Sequence, residues 1–260
     1  MKLEICTIIK DEGRFLEEWI EFHLLQGVDK FWLYDNGSTD NTLKVLERYR
    51  TLGIVELIEF KGDAMQPVMC QLYCVNNAGL DKWCAFIDVD EFLLIRDRSF
   101  LDKAKAYGGV CVNWRLMGSY GHVQRPEGLV LENYPMGQKG VDRHVKTILN
   151  MRYAIGRGRD VHSFRSSRPI INLRGEVQPV NYALSENPVD GDALQLFHFH
   201  VKSQEDYRFK CSRNRADVLQ KRNFEESFSA HDINDVKLWM AEWGERIRGI
   251  LKNKRNADGE

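Results

Sequence analysis

Two aspartates one residue apart follow an apolar run, in the segment Cys84-Ala85-Phe86-Ile87-Asp88-Val89-Asp90-Glu91-Phe92. Alternation along a strand predicts that Asp88 and Asp90 share one face, with Val89 turned toward the core. Two unpaired carboxylates at the end of a buried strand repel each other, and a divalent cation removes that cost. Because Mg²⁺ and Mn²⁺ bind carboxylate oxygens, the segment indicates a metal site that holds phosphates. The competing interpretation is the solvated start of a loop.

Polar groups also follow the first two predicted strands. Thr7 to Glu12, which includes Lys10, ends the first of them, and Asp35-Asn36 ends the second. In parallel α/β sheets ligands bind at the carboxyl ends of the strands, so we expect these groups to converge with Asp88 and its neighbours. Lys10 is a candidate phosphate contact and Asp35 a candidate contact to a base or ribose. A solvated turn and an Asx turn with a helix cap are the respective alternatives.

Histidines form the other chemical signal. His198 and His200 lie on one side of a predicted strand that runs directly into Lys202-Ser203 and a helix. This order suits a metal ligand followed by a phosphate partner. His162 is a similar, weaker candidate. The alternative for each is a hydrogen-bonded core histidine.

Strand and helix patterns alternate three times in the first 100 residues. Predicted strands cover 3–9, 31–34, 54–58 and 83–87, separated by helices near 15–27, 40–49 and 65–78. This order is typical of a parallel, doubly wound α/β sheet. Later segments predict short strands at 109–114, 129–132, 146–149 and 194–198, a loop over 152–187, and helices at 204–220 and 233–251.

Composition fits one ordinary α/β protein and excludes several classes. The chain has 260 residues, 43% of them hydrophobic, and a net charge of −1, so no basic field indicates nucleic acid as a partner. Its six cysteines form no CxxC pair and predict reduced core residues. The sequence contains no P-loop, GxSxG or GxGxxG motif, which argues against an ATPase, a hydrolase and a Rossmann dehydrogenase. With no signal peptide or transmembrane segment apparent, we expect a cytoplasmic protein, with peripheral membrane association possible through a partner.

Taken in order, these motifs resemble those of GT-A glycosyltransferases, specifically the glycosyltransferase family 92-like group, also grouped with family 2-like enzymes. The matching segments span residues 10 to about 203. They are Lys10-Asp11-Glu12, Glu18-Trp19-Ile20 with His23, Tyr34 to Asp40, Phe86 to Phe92, Trp114, Gly118 to His122, Val161 to Phe164, His198-Phe199 and Lys202-Ser203. The family usually has His-Tyr where this chain has His198-Phe199, so a role of that tyrosine hydroxyl is absent here.

The resemblance implies a GT-A fold, a nucleotide-sugar donor, usually a UDP-sugar, and Mn²⁺ or Mg²⁺ as cofactor. It also implies roles for five side chains: Asp88 meets ribose or metal, Asp90 holds the metal, Asp35 contacts the nucleoside, His198 is a further metal ligand, and Lys202 meets the diphosphate. Residues 1–100 would form the nucleotide-sugar-binding half and residues 101–260 the acceptor-side half of one continuous domain.

An inverting mechanism, also implied by the resemblance, requires a base for the acceptor hydroxyl. Glu127 and Glu132 are candidates by position, and a glycan or lipid-linked saccharide is the expected acceptor. Two other functions stay open: a sugar nucleotidyltransferase, although Lys10-Asp11-Glu12-Gly13 is not its usual Gly-rich loop, and a non-catalytic glycan- or nucleotide-binding module.

Overall fold

The computed structural model describes residues 1–178, 183–213, 215–220, 222–238 and 240–258. The strands are β1 (Lys2–Ile9), β2 (Lys30–Asp35), β3 (Val55–Glu59), β4 (Lys82–Ala85), β5 (Glu91–Ile95), β6 (Gly109–Leu116), β7 (Met136–Gly137), β8 (Val145–Asn150), β9 (Ala154–Arg157), β10 (Phe164–Ser166), β11 (Ile170–Ile171), β12 (Leu194–His198) and β13 (Val236–Lys237). The helices are α1 (Gly13–Leu25), α2 (Thr42–Thr51), α3 (Gln66–Asn77), α4 (Ser99–Lys103), α5 (Val130–Asn133), α6 (Gln204–Ser212), α7 (Phe224–His231) and α8 (Ala241–Asp258).

One large sheet organises the protein, with strand order β3-β2-β1-β4-β8-β6-β12-β5 and β11 paired to β6. β1, β2, β3 and β4 are mutually parallel, as are β6, β11 and β12, whereas β8 is antiparallel to both of its neighbours. β5 pairs antiparallel with β12, so the sheet continues across residue 100. The predicted class, an α/β fold with a mostly parallel sheet flanked by helices, is confirmed.

Helix α1 shows how the sequence pattern sets the core. Leu16, Trp19 and Ile20 recur at a spacing of three to four and are fully buried, as an amphipathic helix packed on a sheet requires. Gly27 lies just beyond the helix end with φ +81°, a conformation that glycine adopts without a steric penalty. The chain therefore turns directly into β2, whose carboxyl end carries Asp35.

The two aspartates do not lie on a strand, and this part of the prediction was wrong. β4 ends at Ala85, and Asp88 to Asp90 form a turn that leads into β5. The Glu91 carboxylate accepts the backbone N–H of Asp88 at 2.8 Å. This bond closes the turn, which explains why the strand ends before the aspartates despite the continuous apolar run.

Several later predictions also differ from the structure. The predicted strand at 129–132 is helix α5, because the Glu18 carboxylate accepts the N–H groups of Val130 and Leu131 at 2.7 and 2.9 Å, as a helix N-terminus favours. The predicted loop at 152–187 contains β9, β10 and β11, and its residues 179–182 lie outside the described part. The predicted helix at 204–220 ends at Ser212, and α7 and β13 precede the last helix.

The six cysteines are free, and five of them are buried. Cys6, Cys70, Cys74, Cys84 and Cys111 lie in one hydrophobic cluster behind the sheet. Burial raises the pKa of each of these thiols, so they are packing residues rather than nucleophiles.

Candidate active site

A cavity of about 390 Å³ lies at the carboxyl ends of the strands and is bordered by the segment that follows β12. This volume is within the ordinary range for a small-molecule site. Its walls combine carboxylates, imidazoles and cationic side chains. Among the lining residues are Asp88, Asp90, His144, His162, His198, His200, His231, Lys10, Lys210, Arg213, Arg215 and Arg222.

Asp90 is the charged centre of this cavity. The ammonium of Lys210 donates to its Oδ2 at 2.5 Å, and His198 Nε2 lies 3.5 Å from its Oδ1. Burial would raise the pKa of Asp90, but Lys210 and His198 outweigh that effect and hold the pKa well below its ordinary value. The carboxylate is therefore ionised at neutral pH.

Asp88 has a different environment from Asp90. Its Oδ1 accepts from Gln66 Nε2 at 2.8 Å and its Oδ2 from Lys146 Nζ at 2.8 Å. Lys146 is 1% exposed. Burial raises the pKa of Asp88, but Lys146 more than reverses this and lowers it. Both oxygens of Asp88 are thus bonded by protein groups.

Asp90, His198 and His200 form a cluster of three donor atoms that all lie within 4.8 Å of one another. Burial lowers the pKa of His198 to about 4 and that of His200 well below its ordinary value. Two neutral imidazoles and one carboxylate are in the protonation states that metal ligation requires. His198 Nδ1 is also buried without a hydrogen-bond partner among the described residues. The donor set of one carboxylate and two imidazoles therefore fits a divalent cation.

Trp114 separates this cluster from a second histidine group. Its indole ring lies 4.3 Å from the His198 ring and stacks on the His144 ring, centroid to centroid, at 4.7 Å. His144 Nδ1 contacts Asp142 Oδ1 at 2.6 Å. This pairing orients the imidazole and directs the other nitrogen, Nε2, away from Asp142.

His162 lies on the same side of Trp114, with the two ring centroids 5.3 Å apart. Its Nδ1 lies 3.1 Å from the carbonyl of Val145. Burial, with the charge of Lys146, lowers the pKa of His162 to about 3. His162 is therefore a neutral group in the wall of the cavity.

Lys10 and Lys202 approach the site from different directions. Lys10 lines the main cavity, and its carbonyl accepts from Arg213, which also pairs with Glu12 at 3.1 Å. Lys202 lines an adjoining cavity of about 180 Å³ that shares Asp90 and Lys210 with the first. Its Nζ bonds to the Phe199 carbonyl at 3.3 Å.

The residues expected to contact the nucleoside lie at the β2 end of the cavity. Asn36 lines the cavity, whereas the Asp35 carboxylate accepts the N–H groups of Gly37 and Ser38 in an Asx turn. Thr7 is 1% exposed, and its hydroxyl donates weakly to the Ile8 carbonyl at 3.4 Å. In this structure Asp35 and Thr7 shape the edge of the sheet, and their nucleotide contacts stay predictions.

Glu127 and Glu132 are not among the residues that line either cavity. The Glu127 carbonyl accepts from Asn133, and the Glu132 carboxylate pairs with Arg248 on α8. Their role as the catalytic base stays a prediction.

Three groups at the site were missed by sequence reasoning. Lys146 is a single lysine inside the apolar strand 145–150, which is the signal that could have identified it. Lys210 gives no local signal of its role, because its partner Asp90 lies 120 positions away. The pair Asp142 and His144 has a spacing of two residues, which is too common to indicate a dyad.

Comparison with protein families supports the resemblance for the first part of the chain. Residues 5–115 match the family model of glycosyltransferase family 92. The resemblance to glycosyltransferase family 92 is confirmed. The matched region contains Lys10, Asp35, Asp88 and Asp90, whereas His198 and Lys202 lie outside it.

Curated family 92 proteins match parts of the chain. One from Ricinus communis is 36% identical over 97 residues, which is 34% of this chain and 16% of that protein. One from Arabidopsis thaliana is 26% identical over 211 residues, covering 70% of this chain and 35% of that protein. The alignments thus cover only a minor part of these relatives, and their names support the enzyme class glycosyltransferase.

Among solved structures, S. aureus TarS matches 49% of this chain and 24% of its own, with 16% identity and a TM-score of 0.37. A likeness at this level carries no conclusion about activity. Within the described residues, no helix combines the length and apolar character needed to cross a bilayer.

Proposed function

We propose that the protein is a metal-dependent glycosyltransferase that moves a sugar from a nucleotide-sugar, most simply a UDP-sugar, to a glycan or lipid-linked acceptor with inversion. One observation carries the proposal. A carboxylate–imidazole group suited to a divalent cation lies beside cationic side chains in one cavity, and much of this cavity is built from the region that matches family 92.

Cationic side chains supply the binding energy for a diphosphate. The cavity is lined by Lys10 and by Arg213, Arg215 and Arg222. A single guanidinium group can donate two parallel hydrogen bonds to phosphate oxygens. Asn36 at the β2 end would contact the nucleoside, and Asp35 would hold that loop or contact the ribose. In this proposal the nucleobase would lie at the β2 edge and the diphosphate toward β12.

Asp90 and His198 would hold the cation, and Asp88, whose oxygens are bonded to Gln66 and Lys146, would fix the turn that presents Asp90. When bound, Mn²⁺ or Mg²⁺ neutralises charge on a departing diphosphate. Lys202 would contact the same diphosphate from the adjoining cavity, where it already lies near Asp90.

The Asp142–His144 pair is the base that the geometry favours. Asp142 holds Nδ1 of the imidazole, so Nε2 is free to take the proton of the acceptor hydroxyl. The hydroxyl oxygen then forms the new bond to the anomeric carbon while the bond from that carbon to the diphosphate oxygen breaks. Trp114, stacked on His144, would hold the imidazole in position at the wall of the cavity.

Calorimetric titration with UDP and with GDP, each with and without Mn²⁺, tests the proposal. We expect UDP to bind only when Mn²⁺ is present. Asp90→Ala should weaken that binding by more than the ~10- to 100-fold that is typical when a residue supporting a metal ligand is substituted. Asp102→Ala is the matched control, because this side chain is 66% exposed and pairs with the chain terminus. Absence of binding by either nucleotide would refute the proposal and favour a non-catalytic module.

A further inference from the structure

The ammonium of Lys210 lies inside the cluster of possible metal ligands. It donates to Asp90 Oδ2 at 2.5 Å and to the His200 carbonyl at 3.1 Å, and it lies 3.3 Å from His200 Nδ1. His200 Nδ1 in turn lies 3.4 Å from His198 Nε2. A positive charge thus already occupies the centre of two imidazoles and a carboxylate.

Side chains of helix α6 and its N-cap hold this arrangement in place. Ser203 caps helix α6 by accepting the N–H of Asp206 at 3.0 Å, and Tyr207 on the same helix lies 3.3 Å from His200 Nε2. The lysine side chain is 17% exposed and lines both cavities. Its flexible stem can therefore leave Asp90 without movement of the helix.

The ligand set follows from which donors remain available. Both oxygens of Asp88 are bonded, to Gln66 and to Lys146, and a cation there would have to displace a buried ammonium. Replacing Lys210 exposes one oxygen of Asp90 and one nitrogen of His200 together. His200, rather than Asp88, is then the third donor.

We propose that Asp90, His198 and His200 form a divalent cation site of one carboxylate and two imidazoles, and that the Lys210 ammonium occupies this site until a metal displaces it. Lys210 Nζ already lies against Asp90 Oδ2 and His200 Nδ1. A metal held by the same two groups would repel the ammonium, so metal and ammonium exclude each other. The displaced Lys210 then becomes available to the donor diphosphate. Only this last step rests on the proposed function.

Titration with MnCl₂ in the absence of nucleotide tests the site. We expect Lys210→Met to bind Mn²⁺ about 10- to 100-fold more tightly than the native protein, the equilibrium equivalent of one hydrogen bond between charged groups. His200→Ala should bind about tenfold or more weakly. Lys82→Met is the matched control, because Lys82 forms a buried ion pair with Glu4 at 2.6 Å outside the cavities, and it should leave Mn²⁺ affinity unchanged.

A second readout avoids dependence on one variant. The melting temperature in EDTA and in Mn²⁺ should rise more on metal addition for Lys210→Met, or for Lys210→Gln if the methionine variant does not fold, than for the native protein. Equal or weaker Mn²⁺ binding in both Lys210 variants, or unchanged binding in His200→Ala, would overturn the inference. Tight Mn²⁺ binding without any UDP binding would instead refute the proposed function and leave the site standing.

Discussion

Replacing Lys146 by methionine tests whether the protein itself neutralises Asp88. Lys146 Nζ lies 2.8 Å from Asp88 Oδ2 and 3.5 Å from Glu91 Oε2, and the lysine is 1% exposed. Methionine keeps most of the side-chain volume and removes the charge. The decrease in the free energy of unfolding therefore measures the lost charge interaction more than lost packing.

The structure sets the expected size of this loss. Two unit charges 2.8 Å apart interact by about 6 kcal/mol at an effective dielectric constant of about 20. Because the Asp88 side chain is 35% exposed, water replaces part of that interaction when the lysine is removed. We therefore expect Lys146→Met to lower the free energy of unfolding by about 3 kcal/mol, the lower end for a broken buried pair, with a coupling energy to Asp88 of about 2 kcal/mol.

A double-mutant cycle measures this coupling by urea unfolding in EDTA. It compares the native protein, Lys146→Met, Asp88→Asn and the double variant. The pKa of Asp88 is lowered in the folded state from its ordinary 3.8. The coupling should therefore be complete above about pH 4 and disappear as the pH falls through that lowered value. If the two single-variant decreases in unfolding free energy sum to that of the double variant within about 0.5 kcal/mol, the lysine does not neutralise Asp88. The proposed role of Asp88 in fixing the turn would then be wrong.

Three further predictions concern titratable groups. Burial raises the pKa of Glu18 from 4.5 to about 7, although hydrogen bonds from two backbone N–H groups lower it. Between these two pH values the folded protein keeps a proton that the unfolded chain releases. The free energy of unfolding of the native protein, relative to that of Glu18→Gln, should therefore fall by about 3 kcal/mol from pH 4 to pH 8. A difference between the two proteins that does not change with pH would contradict this. Burial also raises the pKa of Glu91 well above its ordinary value, although Lys146 opposes it. Relative to Glu91→Gln, the free energy of unfolding of the native protein should therefore fall as the pH rises from about 4 to about 8. A difference that increases with pH in urea unfolding would mean that Lys146 holds Glu91 ionised. Finally, His144→Gln and Asp142→Asn should slow sugar transfer by about 10²- to 10⁴-fold with unchanged UDP affinity; a loss of UDP affinity instead would give the pair a structural role.

The first half of the fold could be predicted because its signals are local. Each helix or strand there is defined by apolar residues at helical or strand spacing that are close together in sequence. Gly27, just beyond the end of α1, is one such local signal. The predicted strand at 129–132 failed because helix α5 is held by Glu18, more than a hundred positions earlier. The short apolar run Leu129-Val130-Leu131 carries no trace of such a distant acceptor, so local pattern alone predicted a strand there.

The site shows the same limit at the level of single side chains. Asp88 and Asp90 were identified from their spacing, but their partners, Lys146 and Lys210, lie 58 and 120 positions away. Each lysine is an ordinary residue in its own segment. Only the packing of distant segments brings each lysine to its aspartate. A spacing rule therefore could not distinguish the aspartate held by the protein from the one open to a cation.

Strand register, rather than loop conformation, brings His198 to Asp90. In the antiparallel pair of β12 with β5, His198 is opposite Glu91, and the N–H of Phe199 donates to the Asp90 carbonyl at 2.8 Å. A shift of one residue would turn His198 to the other face of the sheet and bring Phe199 toward Asp90. β12 is also held on its other side by β6, where His198 is opposite Leu116. Because two strands fix the register from both sides, His198 is positioned beside Asp90 before any ligand binds, which is the condition for a preorganised cation site.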